Sequence, residues 1–132
     1  MSADLSAYLT RATVLPWVWG RSDCTIWVAD WCLLRFGFDP AAGFRGRYDD
    51  RAGAEGLIAA GLARTIAPCM TPLRETRDPR PGDVGIITIG GRQVAAIRTG
   101  PRWAFRTLRG LGEAPAPPVI CWGEPCRKPF RS

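Results

Sequence analysis

Hydrophobic residues recur at helical spacing through the first half of the chain, whereas they alternate or form short runs in the second half. Residues 3–14 place apolar side chains three and four positions apart, which predicts a helix. That helix is expected to end before Pro16, because the proline ring clashes with its continuation. Residues 51–66 show the same spacing despite their glycines, so a further helix is predicted there. Residues 68–83 contain four prolines and are predicted to be an extended loop.

The stretch WVWGRSDCTIWVADWC, residues 17–32, holds four of the six tryptophans. A helix is predicted at 24–36. Ser22 or Asp23 is expected to cap its start, since short polar side chains accept hydrogen bonds from the free N–H groups there. Gly37 is well placed for a left-handed stop. Apolar residues extend beyond one face, so the helix is predicted to be buried nearly all round. The residues outside the main face are Ile26, Leu33 and Leu34.

Short apolar stretches in the second half predict an antiparallel meander. Four strands are predicted, at residues 83–89, 92–98, 103–110 and 119–124. Gly90 and Gly91 join the first two strands, because glycine readily supplies the positive φ angles that a two-residue hairpin needs. The proline-rich segment 114–118 is a stiff connector. Helices followed by antiparallel strands indicate an α+β fold.

The chain length of 132 residues fits one domain. We therefore predict a single domain at 1–124 and a basic tail at 125–132. No apolar run approaches the roughly 20 residues that span a bilayer, so no membrane span is expected. The first residues lack the basic-then-apolar pattern of a secretion signal, which favours synthesis and folding in a cytoplasm.

Eighteen Lys and Arg against twelve Asp and Glu leave a formal charge of +6. This charge permits contact with nucleic acid, anionic glycan or an acidic protein partner. No nucleic-acid-binding motif accompanies it, so no nucleic acid is expected as a partner. We interpret the basic residues of the second half as mostly solvated surface, with docking onto an acidic partner as the alternative. They are Arg98, Arg102, Arg106, Arg109, Arg127, Lys128 and Arg131.

The chain has five cysteines and no histidine. The cysteines are Cys24, Cys32, Cys69, Cys121 and Cys126. No Cys-x2-Cys pair occurs and no histidine completes a zinc set, so neither a metal nor a cofactor is expected. Free buried thiols are the interpretation we favour. Cys121 and Cys126 are the one close pair, and a metal or cluster held by them stays open as an alternative.

Three short motifs follow one another along the chain: VWGRSDC at 18–24, DPAA at 39–42 and PGDV at 81–84. In this order and spacing they resemble the NlpC-type cell-wall cysteine peptidases, which have a papain-like arrangement. They are most similar to the short versions encoded in the tail modules of phages and gene transfer agents. The likeness covers roughly residues 5–124.

The resemblance implies a papain-like domain whose helix carries Cys24 at its start and packs on a small antiparallel sheet. In that chemistry the helix N-terminus lowers the thiol pKa, and a histidine after the hairpin takes the proton. The resemblance puts this histidine at or next to Gln93, whose amide cannot act as a base. Asp23 adjoins Cys24, but a carboxyl group is a poor acid for an amine leaving group. Arg92 and Arg98 can stabilise a thiolate but cannot shuttle protons.

A nucleophile position without its base predicts a degenerate peptidase fold in which Cys24 is vestigial. The resemblance implies a structural component of a phage-type tail tip or baseplate that docks to tail hub proteins. Such a protein belongs in the virion after synthesis in the bacterial host cytoplasm. The alternative is an active cysteine peptidase that cleaves peptidoglycan peptides during genome delivery, with Asp23 or a water in place of the base. A third hypothesis is binding of glycan or stem peptide without turnover.

The tryptophans are expected to pack in the core and at the rim of the domain rather than to form a sugar-stacking platform. An exposed subset is the alternative, as an anchor at a protein interface. The four concerned are Trp17, Trp19, Trp27 and Trp31.

Overall fold

Four helices precede a six-stranded sheet in the computed structural model, which describes residues 3–124. The helices are α1 (Ala3–Ala12), α2 (Cys24–Phe36), α3 (Arg51–Leu57) and α4 (Leu62–Ile66), followed by a 3-10 turn at Ala67–Met70. The strands are β1 (Arg74–Glu75), β2 (Val84–Ile89), β3 (Arg92–Arg98), β4 (Trp103–Thr107), β5 (Gly110–Ala114) and β6 (Pro118–Gly123). All pairs are antiparallel, in the order β1-β6-β2-β3-β4-β5. The predicted α+β class is confirmed, while the predicted tail at 125–132, with Cys126, lies outside the described residues.

The second helix begins and ends where its sequence predicts. Asp23 is the N-cap, and its side chain accepts hydrogen bonds from the N–H groups of Thr25 and Ile26. Gly37 ends the helix with φ of 81°, a left-handed conformation that glycine adopts without steric cost. Both ends depend on residues within a few positions of the helix, which is why the sequence alone located them. No helix of the described part is long and apolar enough to cross a bilayer.

The main core lies between α1, α2 and one face of the sheet. Trp27 and Trp31 are each 1% exposed, which confirms their predicted place in the core. Tyr8 of α1 stacks on the Trp27 ring at 5.3 Å and donates its hydroxyl proton to the Trp27 carbonyl oxygen at 2.5 Å. The indole nitrogen of Trp31 donates to the carbonyl oxygen of Gly82 at 2.8 Å. These bonds satisfy polar groups that burial would otherwise leave unpaired.

The prediction that α2 is buried nearly all round is wrong. Leu33 is 49% exposed and Leu34 is 65% exposed, although both are apolar. The sheet covers α2 from one side, and the described chain places no second layer over these two leucines. Apolar residues can occupy surface positions, so composition alone could not decide which side of the helix faces solvent.

Several other predicted boundaries require correction. The first helix stops at Ala12 rather than continuing to residue 14. The predicted helix at 51–66 breaks into α3 and α4, where Gly61 has φ of 107°. The predicted loop at 68–83 contains part of the 3-10 turn and the short strand β1. The predicted strand at 103–110 ends at Thr107, and β5 follows it as an additional strand.

A smaller apolar cluster covers the opposite face of the sheet from the helices. Its buried members are Ile87, Ala96, Trp103 and Cys121. The guanidinium carbon of Arg98 lies 5.1 Å from the centre of the Trp103 ring in this cluster. The predicted role of Arg98 as a thiolate partner is therefore unsupported, because β3 directs it to the face that is turned away from α2.

The sheet opens between β3 and β4. Their register holds two pairs, Ile97 with Ala104 and Arg98 with Trp103, although both strands are longer than that. Residues 92–96 of β3 have no register partner in β4, and residues 105–107 of β4 have none in β3. We call this opening the β3–β4 gap. On their other sides both strands are fully paired, β3 with β2 and β4 with β5.

Candidate functional site

A groove of about 350 Å³ lies at the N-terminal end of α2 and runs into the β3–β4 gap. Its lining is mostly apolar and comes from the loop before α2, from α2, α3 and α4, and from β3 and β4. Residues with polar or aromatic side chains in the wall include Trp17, Trp19, Cys24, Tyr48, Gln93 and Arg106. Asp23 also lines the groove, so the structure brings Asp23, Cys24 and Gln93 to one place.

Cys24 is the first residue of α2 and is half-buried in the groove. Its Sγ lies 3.9 Å from the Thr25 hydroxyl oxygen. Burial raises the pKa of the Cys24 thiol, and the neighbouring Asp23 carboxylate raises it further, while contacts with Thr25 lower it in part. The expected lowering of this pKa by the helix N-terminus therefore does not prevail, because desolvation and a like charge disfavour the thiolate.

Asp23 serves the local fold rather than proton transfer. Its side chain is buried at 2% exposure. Four donors reach its carboxylate: Gly20 N at 2.8 Å and the Tyr48 hydroxyl at 2.5 Å on Oδ2, and Thr25 N at 3.1 Å and Ile26 N at 3.0 Å on Oδ1. A carboxylate with this many hydrogen bonds has little acceptor capacity left for the proton of a neighbouring thiol. The arrangement does not support Asp23 as a substitute base.

Tyr48 contacts the turn at residues 20–23, which we call the cysteine turn, through its hydrogen bond to Asp23. Burial raises its pKa, and the hydrogen bond to Asp23 raises it further, so the hydroxyl remains a donor. Gly20 fits under this loop with φ of 78°, and a Cβ there would lie 2.3 Å from the Tyr48 carbonyl oxygen. Gly46 N donates to Gly20 O at 3.0 Å, which adds a main-chain link. The turn at 20–23 is therefore determined by a loop that lies about 25 residues later in the chain.

Gln93 stands on β3 at the groove, where the sequence resemblance implies a histidine. Its side-chain oxygen accepts a hydrogen bond from Ala63 N at 3.0 Å, near the start of α4. An amide has no proton to exchange near neutral pH, so Gln93 supplies a hydrogen bond between β3 and α4 and no general base. The interpretation of Gln93 as a satisfied polar residue agrees with this contact.

Arg106 is the residue that sequence analysis misjudged. It was interpreted as solvated surface, yet it is 3% exposed and lies in the wall of the groove. Its guanidinium donates to the carbonyl oxygens of Ala12, Leu15 and Ser22, and no ion pair of the described residues includes it. Burial lowers its pKa. The alternation of β4 contains the missed signal, since position 106 shares the face of the buried Ala104.

Arg106 joins α1, the loop before α2 and β4 around a second aromatic pair. Trp17 and Trp19 pack edge to face with ring centres 5.1 Å apart, and the Arg106 guanidinium lies 5.9 Å from the Trp17 ring. The Trp17 indole nitrogen is buried without a hydrogen-bond partner. Both tryptophans line the groove, as expected for rim packing.

Glu55 is a further carboxylate in the groove wall that sequence analysis did not select. Its Oε2 accepts from Arg92 at 2.8 Å and from Arg51 at 3.2 Å. Arg92, predicted as a thiolate partner, is thus paired with a carboxylate. These side chains are about half exposed, so each pair contributes at most about 1 kcal/mol to stability. The groove contains a thiol and several fixed charges, and no side chain in it has the acid–base behaviour of an imidazole.

A comparison with protein families finds one that matches residues 1–122, nearly the whole described chain; its description is domain of unknown function, DUF6950. No curated protein and no solved structure matches the chain.

Proposed function

We propose that this chain, which belongs to the DUF6950 family, is a non-hydrolysing protein built on a degenerate NlpC-type, papain-like cell-wall peptidase fold. It acts as a structural component of a phage-type tail tip or baseplate and docks to tail hub proteins. The observation that carries this proposal is that Cys24 and Gln93 line the same groove in a chain that has no histidine. The nucleophile position of the resemblance is occupied, and the base position holds an amide.

The energetic consequence of the missing base is large. A positioned general acid and base contributes on the order of 10²–10⁴-fold to such a reaction. Such a reaction also requires a thiolate as the nucleophile, and the raised pKa of the Cys24 thiol disfavours that form. The four hydrogen bonds to the Asp23 carboxylate argue against Asp23 as a substitute base, because they leave it little acceptor capacity. Together these features favour a docking role over turnover.

The surface near the groove supports a docking role. Leu108 lines the groove and is 69% exposed, and Val14 (79% exposed) and Val18 (44% exposed) lie close in sequence to Trp17 and Trp19, which also line it. Exposed apolar side chains at a groove commonly mark a contact with another macromolecule. The net charge of +6 favours an acidic partner surface.

Two experiments test the proposal. Purified protein is incubated with peptidoglycan, and released peptides are measured for the wild type and for Cys24→Ser. We expect no release above the Cys24→Ser background, whereas thiol-dependent release would establish the active peptidase instead. Co-expression with hub proteins of the same tail module is expected to give a stable complex, and a failure to co-purify would remove the structural role.

A matched variant tests the assignment of Gln93. Gln93→His places an imidazole at the position that the resemblance implies, and it is expected to speed alkylation of Cys24 near pH 7 by about tenfold. Gln93→Asn, which keeps an amide, is expected to leave the rate unchanged. Equal rates in both variants would mean that residue 93 does not reach the thiol.

The groove also favours a second candidate, which is binding of stem peptide or glycan without turnover. A cavity of about 350 Å³ with a few convergent polar groups is large enough for a small ligand. Binding to purified cell-wall sacculi that survives Cys24→Ala would support this candidate. Sacculi binding that is absent, together with hub co-purification, would favour the docking role alone.

A further inference from the structure

The β3–β4 gap leaves strand edges without a mutual register partner on both of its sides. The N–H of Arg98 donates to Asp83 O on the β2 side, and the N–H of Thr99 donates to Arg102 O on the β4 side. Because alternate residues of a strand direct their main-chain groups to opposite neighbours, Gln93 and Ala95 face β4. Their register partners would be residues of β4 beyond Ala104, and the register stops before it reaches them.

The same reasoning applies to β4. Ala104 pairs with Ile97, so the main chain of Arg106 faces β3, whereas Phe105 and Thr107 face β5. Beyond Ile97 and Ala104, both strand edges thus lack a mutual register partner. Strand edges without a partner are templates for pairing with a further strand.

The groove occupies this space. Its wall includes Gln93 and Val94 from β3 and Phe105 and Thr107 from β4, all within the parts of these strands that lack a mutual partner. Leu108 continues the wall beyond β4 and is 69% exposed. A ligand in the groove therefore meets unpaired main chain and apolar side chains together. This combination suits an extended peptide, which has main-chain donors and acceptors and side chains on alternating sides.

The charged groups of the groove indicate which charge that peptide should carry. Arg106 is a buried guanidinium whose hydrogen bonds go to three neutral carbonyl oxygens, and none of the ion pairs in the described range includes it. Asp23 is occupied by four donors, and Glu55 by two guanidinium groups. The groove wall holds three guanidinium groups, from Arg51, Arg92 and Arg106, against two carboxylates, so its net charge favours an acidic side chain over a basic one.

We propose that the β3–β4 gap binds an extended, apolar segment of a partner protein that carries an acidic residue, as a strand added to the sheet. This inference rests on the proposed docking function and names the site and the form of the partner contact. The tail of this chain is a less suitable occupant. Its sequence is basic, and Glu124, the last described residue, accepts a hydrogen bond from Arg35 at 2.8 Å. Arg35 is near the C-terminal end of α2, and the groove lies at its N-terminal end.

The probes are synthetic peptides of about six residues, a usual strand length, with Thr alternating with Val, Leu or Phe and with one central Glu. Binding is measured by fluorescence anisotropy, and amide exchange of the protein is followed by NMR. We expect the amides of Gln93, Ala95 and Arg106 to become protected when peptide binds. Methylation of alternate peptide nitrogens is expected to weaken binding by about tenfold or more, since it removes main-chain donors. Replacing the central Glu by Lys is expected to weaken it by about tenfold.

Matched variants separate the site from the fold. Leu108→Asp removes an exposed part of the groove wall and is expected to weaken binding by about tenfold. Leu34→Asp, at a residue of similar exposure outside the groove, is expected to bind as the wild type does. Gln93→Pro removes the N–H that faces the gap, and Gln93→Ala keeps it. Binding is expected to be weaker in the proline variant than in the alanine variant.

Several outcomes would overturn the proposal. These are the absence of binding by every peptide, equal binding of the N-methylated peptides, and protection confined to amides outside the gap. Protection by peptidoglycan fragments equal to that by the peptides would assign the groove to a cell-wall ligand. If a variant that ends at Glu124 loses protection of Gln93 and Ala95 without peptide, the tail is the occupant and the proposal fails.

The docking function is judged separately, by co-purification with hub proteins. If the wild type co-purifies and Leu108→Asp also does, hub docking stands and the gap is not its site. If the wild type does not co-purify, the docking function fails whatever the peptides do. If Leu108→Asp fails to co-purify with hub proteins while Leu34→Asp still does, the result supports both the docking function and the gap as its site.

Discussion

The cysteine turn and the β3–β4 gap lie on the same groove and differ in how completely their polar groups are paired. In the turn, one buried carboxylate receives four hydrogen bonds, and a later loop packs against Gly20. In the gap, two strands separate after two register pairs and leave their edges without a mutual partner. The turn is therefore determined by the chain itself, whereas the gap has main-chain groups left for another molecule.

This difference gives the residues around Cys24 a structural role that does not depend on catalysis. Asp23 caps α2 and binds Tyr48, and both contacts are needed whether or not Cys24 reacts. The sequence around Cys24 that resembles an active site is thus also the sequence that holds α2 in place. Position 93 does not need a histidine for the fold, because the Gln93 amide accepts the hydrogen bond from Ala63 N.

The largest expected effect comes from Asp23→Ala. It leaves the four donors of the turn without their acceptor, so we expect the free energy of unfolding to fall by about 3–5 kcal/mol. The control is Asp50→Ala, at the N-cap of α3, where the side chain accepts from Gly53 N alone. It is expected to cost about 1 kcal/mol. Urea denaturation of both variants tests the contrast, and equal losses would contradict the special role of the turn.

Gly20→Ala is expected to have the next largest effect. The new Cβ would lie 2.3 Å from the Tyr48 carbonyl oxygen, in addition to the strain of a positive φ. We expect a loss of about 3 kcal/mol in the free energy of unfolding. Gly46→Ala also has a positive φ, but nothing lies within 4 Å of its added Cβ, so it should cost only about 1 kcal/mol. The difference between the two variants measures the contact with the Tyr48 loop.

The rate at which iodoacetamide labels Cys24 tests whether its surroundings disfavour the thiolate. The raised pKa means that the thiolate forms above the ordinary value of 9.0, so iodoacetamide labelling should be slow at pH 7 and accelerate above pH 9. Because burial and the Asp23 carboxylate disfavour the thiolate in the folded state, the free energy of unfolding should be highest below the unfolded-state pKa and fall as the pH rises towards the raised folded-state pKa. Labelling rates measured from pH 4 to above pH 9, with the labelled residue mapped by mass spectrometry, check this prediction. Rapid, selective labelling of Cys24 well below pH 7 would instead indicate a preserved thiolate.

Leu108→Asp is expected to have the smallest effect on stability. Leu108 is 69% exposed, so its replacement should change the free energy of unfolding by no more than about 0.5 kcal/mol. Thermal or urea denaturation measures this, with Leu34→Asp as the surface control. If the free energy of unfolding instead fell by about 2 kcal/mol, as for a buried residue, Leu108 would belong to the core.

The sequence by itself determined the features that depend on neighbouring residues. It located both ends of α2, because Asp23 and Gly37 act within one turn of the helix. It also located β2 and β3 nearly to the residue, since Gly90 and Gly91 adopt φ of 57° and 79° between two apolar runs. The grouping of Cys24 with Gln93 came from the resemblance and agrees with the groove that holds both.

Only the tertiary structure decided the features that depend on distant contacts. The burial of Arg106 requires carbonyl oxygens of Ala12 and Leu15, more than 90 positions earlier in the chain. The exposure of Leu34 depends on where the sheet ends, and the β3–β4 gap depends on how far two strands stay in register. Propensity and periodicity describe a residue and its neighbours, whereas burial and pairing are set by whichever remote segment packs against it. The groove, and with it the proposed partner strand, belongs to that second class.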